Sequence, residues 1–170
     1  MRIFLIGFMG SGKTTVGQEL ASRLGYSFID MDKRIEEDTG MSVNQIFSEL
    51  GEQEFRKLEH DMIIRIIKTD NVVVATGGGA PCYYKNMELI NQNGISLYLR
   101  MTPEALTDRL KHSRSRRPLI RDLPTDDELS GFIKEKLKER EQFYLKSKHV
   151  VDGLDPDIDE LTGLIRSEEL

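Results

Sequence analysis

The 170-residue chain has only one cysteine, Cys82, so no intrachain disulfide and no cysteine-rich metal site can be assembled. A reducing cytoplasm is the expected location. Histidines are scarce as well: His60, His112 and His149 show neither metal-ligand spacing nor the spacing of a nucleophile and its base. No apolar run exceeds strand length, which argues against a membrane span. The opening MRIFLIGFMG has one arginine ahead of a short apolar run and no small-residue cleavage site, so it does not read as a signal peptide. Repeats, low-complexity tracts and linkers are absent, and the five prolines are scattered, so a single domain over 1–170 is expected.

Excess positive charge is also lacking. The net charge is −5, which disfavours nucleic acid or an anionic membrane as the main partner. Any anion must then be gathered by local arginines, lysines and backbone N–H groups. One basic cluster, HSRSRR at 112–117, lies in a polar stretch, 112–127, that contains Pro118 and Pro124 and is longer than an ordinary connection. It reads as a lid or as a surface loop.

Short, often β-branched runs at 3–6, 28–29, 72–75, 95–99 and 150–151 alternate with longer helical patterns, which predicts βαβ units and a parallel sheet. Val16, Leu20 and Leu24 fall on one helical stripe, and Phe55, Leu58, Met62 and Ile66 on another. A third helix at about 126–146 has Leu129, Ile133, Leu137 and Tyr144 on one face, and the position that continues their spacing is Arg140. A guanidinium there faces inward and calls for an anionic partner: Asp30, Asp32 or a ligand carboxylate.

The strongest chemical signal is GFMGSGKT at 7–14, a complete G-x-x-x-x-G-K-[ST] phosphate loop between an apolar strand and an amphipathic helix. Its glycines let backbone N–H groups wrap phosphates at a helix N-terminus. Lys13 is placed to reach the β and γ phosphates, and the Thr14 hydroxyl to ligate Mg2+. This predicts a nucleotide-dependent phosphotransferase.

Asp30 and Asp32 close the second predicted strand at the sheet edge where such folds bind ligands, though Asp32 alone would also suit a helix N-cap. Arg56 lies one residue off its helix's buried stripe, where a surface pair with Glu52 or Glu59 is the plain explanation. Gly77, Gly78 and Gly79 follow the third strand and permit close approach to backbone. Arg116 and Arg117, in the proposed lid, can bring a guanidinium to phosphoryl oxygens on closure.

In order, GFMGSGKTT, FIDMD, GEQEFR-x-x-E, ATGGGA, SRRPL and an arginine followed four residues later by a tyrosine closely resemble the shikimate kinase family. The resemblance covers about residues 3–151. It implies a three-layer α/β domain like that of nucleoside monophosphate kinases, with a five-stranded parallel sheet of order 2-3-1-4-5, helices on both faces and a lid at about 112–127. It also implies an acceptor-binding region at about 32–68.

The implied activity is Mg2+-dependent transfer of the ATP γ-phosphoryl group to the 3-hydroxyl of shikimate, a step toward chorismate and the aromatic amino acids, by a monomer. Carried over residue by residue, Gly10, Ser11, Gly12, Lys13, Thr14 and Thr15 cradle the ATP phosphates, with Thr14 on Mg2+ and Asp30 holding the ion through water. Asp32 binds the acceptor's ring hydroxyls and orients the attacking one. Arg56 and Arg140 clamp its carboxylate, and Gly77, Gly78 and Gly79 lie beside it, Gly78 through its backbone. Arg117 is the lid arginine, and Arg109 lies near the adenine.

Pro81-Cys82 departs from the aliphatic residue commoner after the glycines. The rival expectations are a kinase of the same fold acting on gluconate or a nucleoside monophosphate, and a GTPase-type switch. The last is disfavoured, because neither N-K-x-D nor D-x-x-G occurs.

Overall fold

A computed structural model describes residues 1–113 and 117–168. Five strands, β1 (Arg2–Ile6), β2 (Ser27–Asp30), β3 (Val72–Ala75), β4 (Ile95–Arg100) and β5 (His149–Asp152), form one sheet of order β2-β3-β1-β4-β5. Every neighbouring pair is parallel. Each apolar run picked out in the sequence lies inside one of these strands, and the order is the one that the resemblance implied.

Burial on both faces explains why β3 is wholly apolar and the interiors of β1 and β4 nearly so. Along β1, Ile3 and Leu5 face α1 (Lys13–Leu24) and α8 (Ile158–Ser167) through Val16, Leu20, Leu161 and Ile165. Phe4 and Ile6 face the opposite layer, which contains α4 (Glu52–Ile66), α5 (Asn86–Asn93) and α7 (Asp126–Tyr144). The alternation of side chains along a strand thus divides one sheet between two cores. The smaller helices α2 (Met31–Thr39), α3 (Val43–Glu49) and α6 (Pro103–Leu110) add Met31, Ile35, Ile46 and Leu106 to the second core.

Some sequence expectations shift. Leu24 and Leu58 are only partly buried. On α4 the inward positions are Phe55, Arg56, Glu59, Met62, Ile63 and Ile66, so the buried face is rotated from Leu58 toward two charged residues. Asp32 does not close a strand. β2 ends at Asp30, which is itself the N-cap of α2 and accepts from the Lys33 amide, while Asp32 sits in the first turn of that helix. In the 112–127 stretch Ile120 is fully buried and Leu119 and Leu123 pack on the core. The arginines at 114 and 116 lie outside the described residues.

Candidate active site

The phosphate loop joins β1 to α1, and its local structure follows from its composition. Gly10 and Gly12 have φ of 81° and 88°, a region that side chains with a Cβ rarely enter. Gly12 is the N-cap of α1, and no side chain caps that end, whereas Asp30 and Ser42 cap α2 and α3. The first-turn amides of α1 therefore keep their hydrogen-bonding capacity, and the helix dipole adds positive potential at the same place.

Lys13 is buried, and its Nζ donates to the carbonyls of Gly7 at 2.8 Å and Phe8 at 2.9 Å. Burial lowers its pKa to about 8, opposed chiefly by the Asp32 carboxylate. Ser11 is fully buried and its hydroxyl has no partner among the described residues. Next along the helix, the Thr14 hydroxyl donates to Asp30 Oδ2 at 2.8 Å. Arg109, on α6, donates to the carbonyls of Gly10 at 3.2 Å and Leu154 at 3.3 Å, and with Gly12 and Thr15 it borders a separate hollow of about 340 Å³.

Two further hollows meet beside the loop. One, of about 280 Å³, is bordered by Gly10, Gly12, Lys13, Thr14 and Thr15. The other, of about 390 Å³, is bordered by Arg56, Glu59, Gly77, Gly79 and Arg140. Met9, Thr14, Asp30, Asp32, Gly78 and Arg117 line both. Burial pushes the Arg117 guanidinium below its usual pKa, with Asp32 and then Asp30 pulling it back.

The second hollow is built around buried charge. Arg56 is 4% exposed, so it does not merely flank the core; its partner Glu59 is buried with it, while its other partner, Glu52, is exposed. Its Nε and Nη2 donate to Glu52 Oε1 at 3.3 and 2.9 Å, and its Nη1 donates to Glu59 Oε2 at 2.7 Å. A guanidinium has five N–H donors, and these bonds use three. Arg140 is 5% exposed, and no carboxylate among the described residues lies within ion-pair distance of it. The Asp30 or Asp32 pairing entertained from the sequence is not made. Arg140 instead lies over the Phe8 ring, 5.7 Å from its centroid, and against the Tyr144 hydroxyl, which donates to the Gly78 carbonyl.

The three glycines explain how these groups come so close. None has positive φ, so they serve space and not turn geometry. A Cβ on Gly77 would collide with Glu59 Oε1, and one on Gly79 with the Arg56 guanidinium. At Gly78 it would stand 3.2 Å from the Met9 amide nitrogen and 3.5 Å from Arg140 Nη1.

Glu59 is the site residue that the sequence reading gave no role beyond pairing. The signal for it was spacing: it falls four residues after Phe55 and three before Met62, on the inward face. Its Oε1 and Asp32 Oδ1 are buried without hydrogen-bond partners among the described residues. Burial raises the Glu59 pKa from 4.5 to about 7 against the pull of Arg56, with Asp32 adding to the rise. Between pH 4.5 and about 7 the unfolded chain has released a proton that the folded chain still holds, so stability falls as pH rises through that window. Burial and the neighbouring Asp30 also raise the Asp32 pKa, which acts in the same sense. Thermal unfolding of the unliganded protein from pH 4.5 to 8 should show this decline, and Glu59→Gln should make it shallower. An unchanged slope in that variant would remove Glu59 as its source.

Comparison with known proteins identifies the family. The family model described as shikimate kinase matches residues 9–164. A shikimate kinase from Parabacteroides distasonis is 44% identical over 152 residues, 89% of this chain and 87% of that protein. The crystal structure of shikimate kinase from Bacteroides thetaiotaomicron superposes with a TM-score of 0.89 at 39% identity, covering 100% of this chain and 99% of that one. Shikimate kinase from Acinetobacter baumannii, solved in complex with shikimate, gives 0.87 at 33% identity, covering 99% and 94%. The chain belongs to the shikimate kinase family of ATP-dependent phosphotransferases.

Proposed function

We propose that the chain transfers the γ-phosphoryl group of MgATP to the 3-hydroxyl of shikimate, with ATP in the hollow at the phosphate loop and shikimate in the one beside it. The observation that carries this reading is the shared wall: six residues, Asp32 and Arg117 among them, line both hollows, so donor and acceptor would meet there. Such transfer asks mainly for positioning and charge stabilisation.

The phosphate-loop amides and Lys13 would hold the phosphates, and Arg109 would lie by the adenine. Arg117, on the wall shared by the two hollows, would add its charge at the phosphoryl group. Arg56 and Arg140 would hold the acceptor carboxylate, Arg56 through its two remaining N–H donors. The unpartnered Asp32 Oδ1 offers an acceptor for the attacking hydroxyl, orienting it toward the phosphoryl group. The raised Asp32 pKa makes it better able to hold that proton.

Among the described residues no group of three or more His, Cys, Asp or Glu side chains is gathered to hold a metal alone. The Thr14 hydroxyl and Asp30 carboxylate are hard oxygen donors in mutual contact at the phosphate loop. They fit Mg2+, which keeps several waters and shares its coordination with phosphates. Bound there, the ion would neutralise charge on the β and γ oxygens. With Cys82 as its single cysteine the chain can form no intrachain disulfide, which is consistent with a cytoplasmic enzyme.

The test is a coupled ADP-release assay against shikimate, gluconate and several nucleoside monophosphates. Turnover should depend on shikimate and fall to background when a chelator removes Mg2+. Faster release with gluconate or a nucleotide, or acceptor-independent hydrolysis preferring GTP, would overturn the reading.

A further inference from the structure

The segment after the triple glycine is strained in a way that the assigned site does not require. A short 3₁₀ turn, Ala80–Cys82, leads into extended Tyr83, and then Tyr84 and Lys85 both adopt positive φ, 50° and 55°. Consecutive left-handed residues other than glycine are unfavourable, so the surroundings must hold them. They do so on α4. The Tyr84 ring stacks on His60, with centroids 5.2 Å apart, and His60 Nδ1 and Asn86 Oδ1 are 2.7 Å apart. Asn86, fully buried, also donates to the Ala80 carbonyl at 2.8 Å. One helical turn earlier on α4, Tyr83 lies over Arg56: the guanidinium carbon is 4.7 Å from the ring centroid. Phe55 and Phe47 stand at 5.5 and 5.8 Å from the same carbon, and the Tyr83 hydroxyl reaches Glu52 Oε1 at 3.4 Å.

Three aromatic rings and two carboxylates therefore enclose one guanidinium. The carboxylates fix its orientation through three N–H bonds. Tyr83, itself 38% exposed, covers what is otherwise an open side of a residue left only 4% exposed. Excluding water from a cation strengthens its attraction to an incoming anion, and a ring face attracts the cation without using any donor.

We infer that Tyr83 is a positioning residue for the acceptor carboxylate: it stacks on Arg56, keeps water from it and leaves its two unused N–H groups facing the acceptor. The inference rests on Arg56 binding that carboxylate, as proposed above. Phe55 lies within the family-like GEQEFR segment, but Tyr83 follows Pro81-Cys82, where the chain departs from the commoner pattern.

The experiment compares Tyr83→Ala, Tyr83→Phe, Arg56→Met and the Tyr83→Ala/Arg56→Met double variant by calorimetric titration of shikimate and of its methyl ester, with steady-state kinetics for active variants. Tyr83→Ala should weaken shikimate binding about tenfold, the loss of a desolvated cation–π contact. The kcat and the ATP KM should stay near those of the parent. Tyr83→Phe should remain within about twofold, because the 3.4 Å hydroxyl contact is weak. The Tyr83→Ala penalty should vanish for the methyl ester and in the Arg56→Met background.

Unchanged shikimate binding in Tyr83→Ala, with binding lost in Arg56→Met, would overturn the role of Tyr83 and leave the Arg56 reading intact. Unchanged binding in Arg56→Met would overturn both. A Tyr83→Ala protein that loses kcat and both affinities together would mark the residue as merely structural, and so would an equal loss in Tyr83→Phe.

Discussion

Lys13→Met should lower kcat on the order of 10²- to 10³-fold, the usual consequence of removing one preorganised electrostatic stabiliser of a transition state. Its effect on the fold should be of the opposite sign. The ammonium is buried and its pKa lowered to about 8, so the folded chain carries an unfavourable charge that methionine replaces at similar volume. The two carbonyls it serves, Gly7 and Phe8, belong to the phosphate loop and lose a donor, which offsets part of that gain. The unfolding temperature should therefore stay level or rise while turnover collapses. ADP release and thermal denaturation on the same preparation check this. Near-normal kcat would contradict the assignment of the loop.

The second large effect separates two arginines of equal charge. Arg140 is fixed before any ligand arrives, on the packed face of α7 between Leu137 and Tyr144 and over the Phe8 ring. A contact made equally in the ground and transition states appears in KM, so Arg140→Ala should raise the acceptor KM on the order of 10- to 100-fold, the loss of a charge-assisted hydrogen bond. Arg117 lies outside any helix, on the wall between the two hollows. If it meets the phosphoryl oxygens as they transfer, Arg117→Ala should lower kcat about 10²-fold with little change in acceptor affinity. Shikimate titration and ADP release on both variants decide. Equal losses of acceptor affinity, with kcat unaffected in Arg117→Ala, would remove the case for a catalytic arginine in the 112–127 stretch.

Why some of this was legible in the sequence and some not follows from the range of the forces involved. β1 and α1 announce themselves locally: an apolar run, glycines able to take positive φ, then a helical stripe. The inward orientation of Arg140 was readable because its spacing from Leu137 and Tyr144 fixes its face. Arg56 was harder, since one residue of helical phase separates a flank from a core position. The phase of α4 is set by Glu59 and Met62 packing inward while Leu58 turns partly outward. Asp30 and Asp32 were both placed near the phosphate loop, but which of them caps α2 depends on where β2 stops, and element boundaries are the least sequence-determined feature. Tyr83 carried no local signal, because its partner lies 27 positions earlier in the chain.

Random mutagenesis will find three adjacent positions, 77 to 79, where a methyl group forces a neighbour to move, and each disturbs a different part of the second hollow. The collision at Gly77 is with Glu59, at Gly79 with Arg56, and the tight approach at Gly78 is to the phosphate loop. Gly131 and Gly163, where an added Cβ would meet nothing within 4 Å, should accept alanine freely. Positions 77 to 79 already carry no side chain, so laboratory evolution toward larger acceptors has no room to gain there. The permissive wall is α3, whose Val43 and Phe47 line the same hollow and are only partly buried, so broadened acceptor scope should first appear as substitutions there.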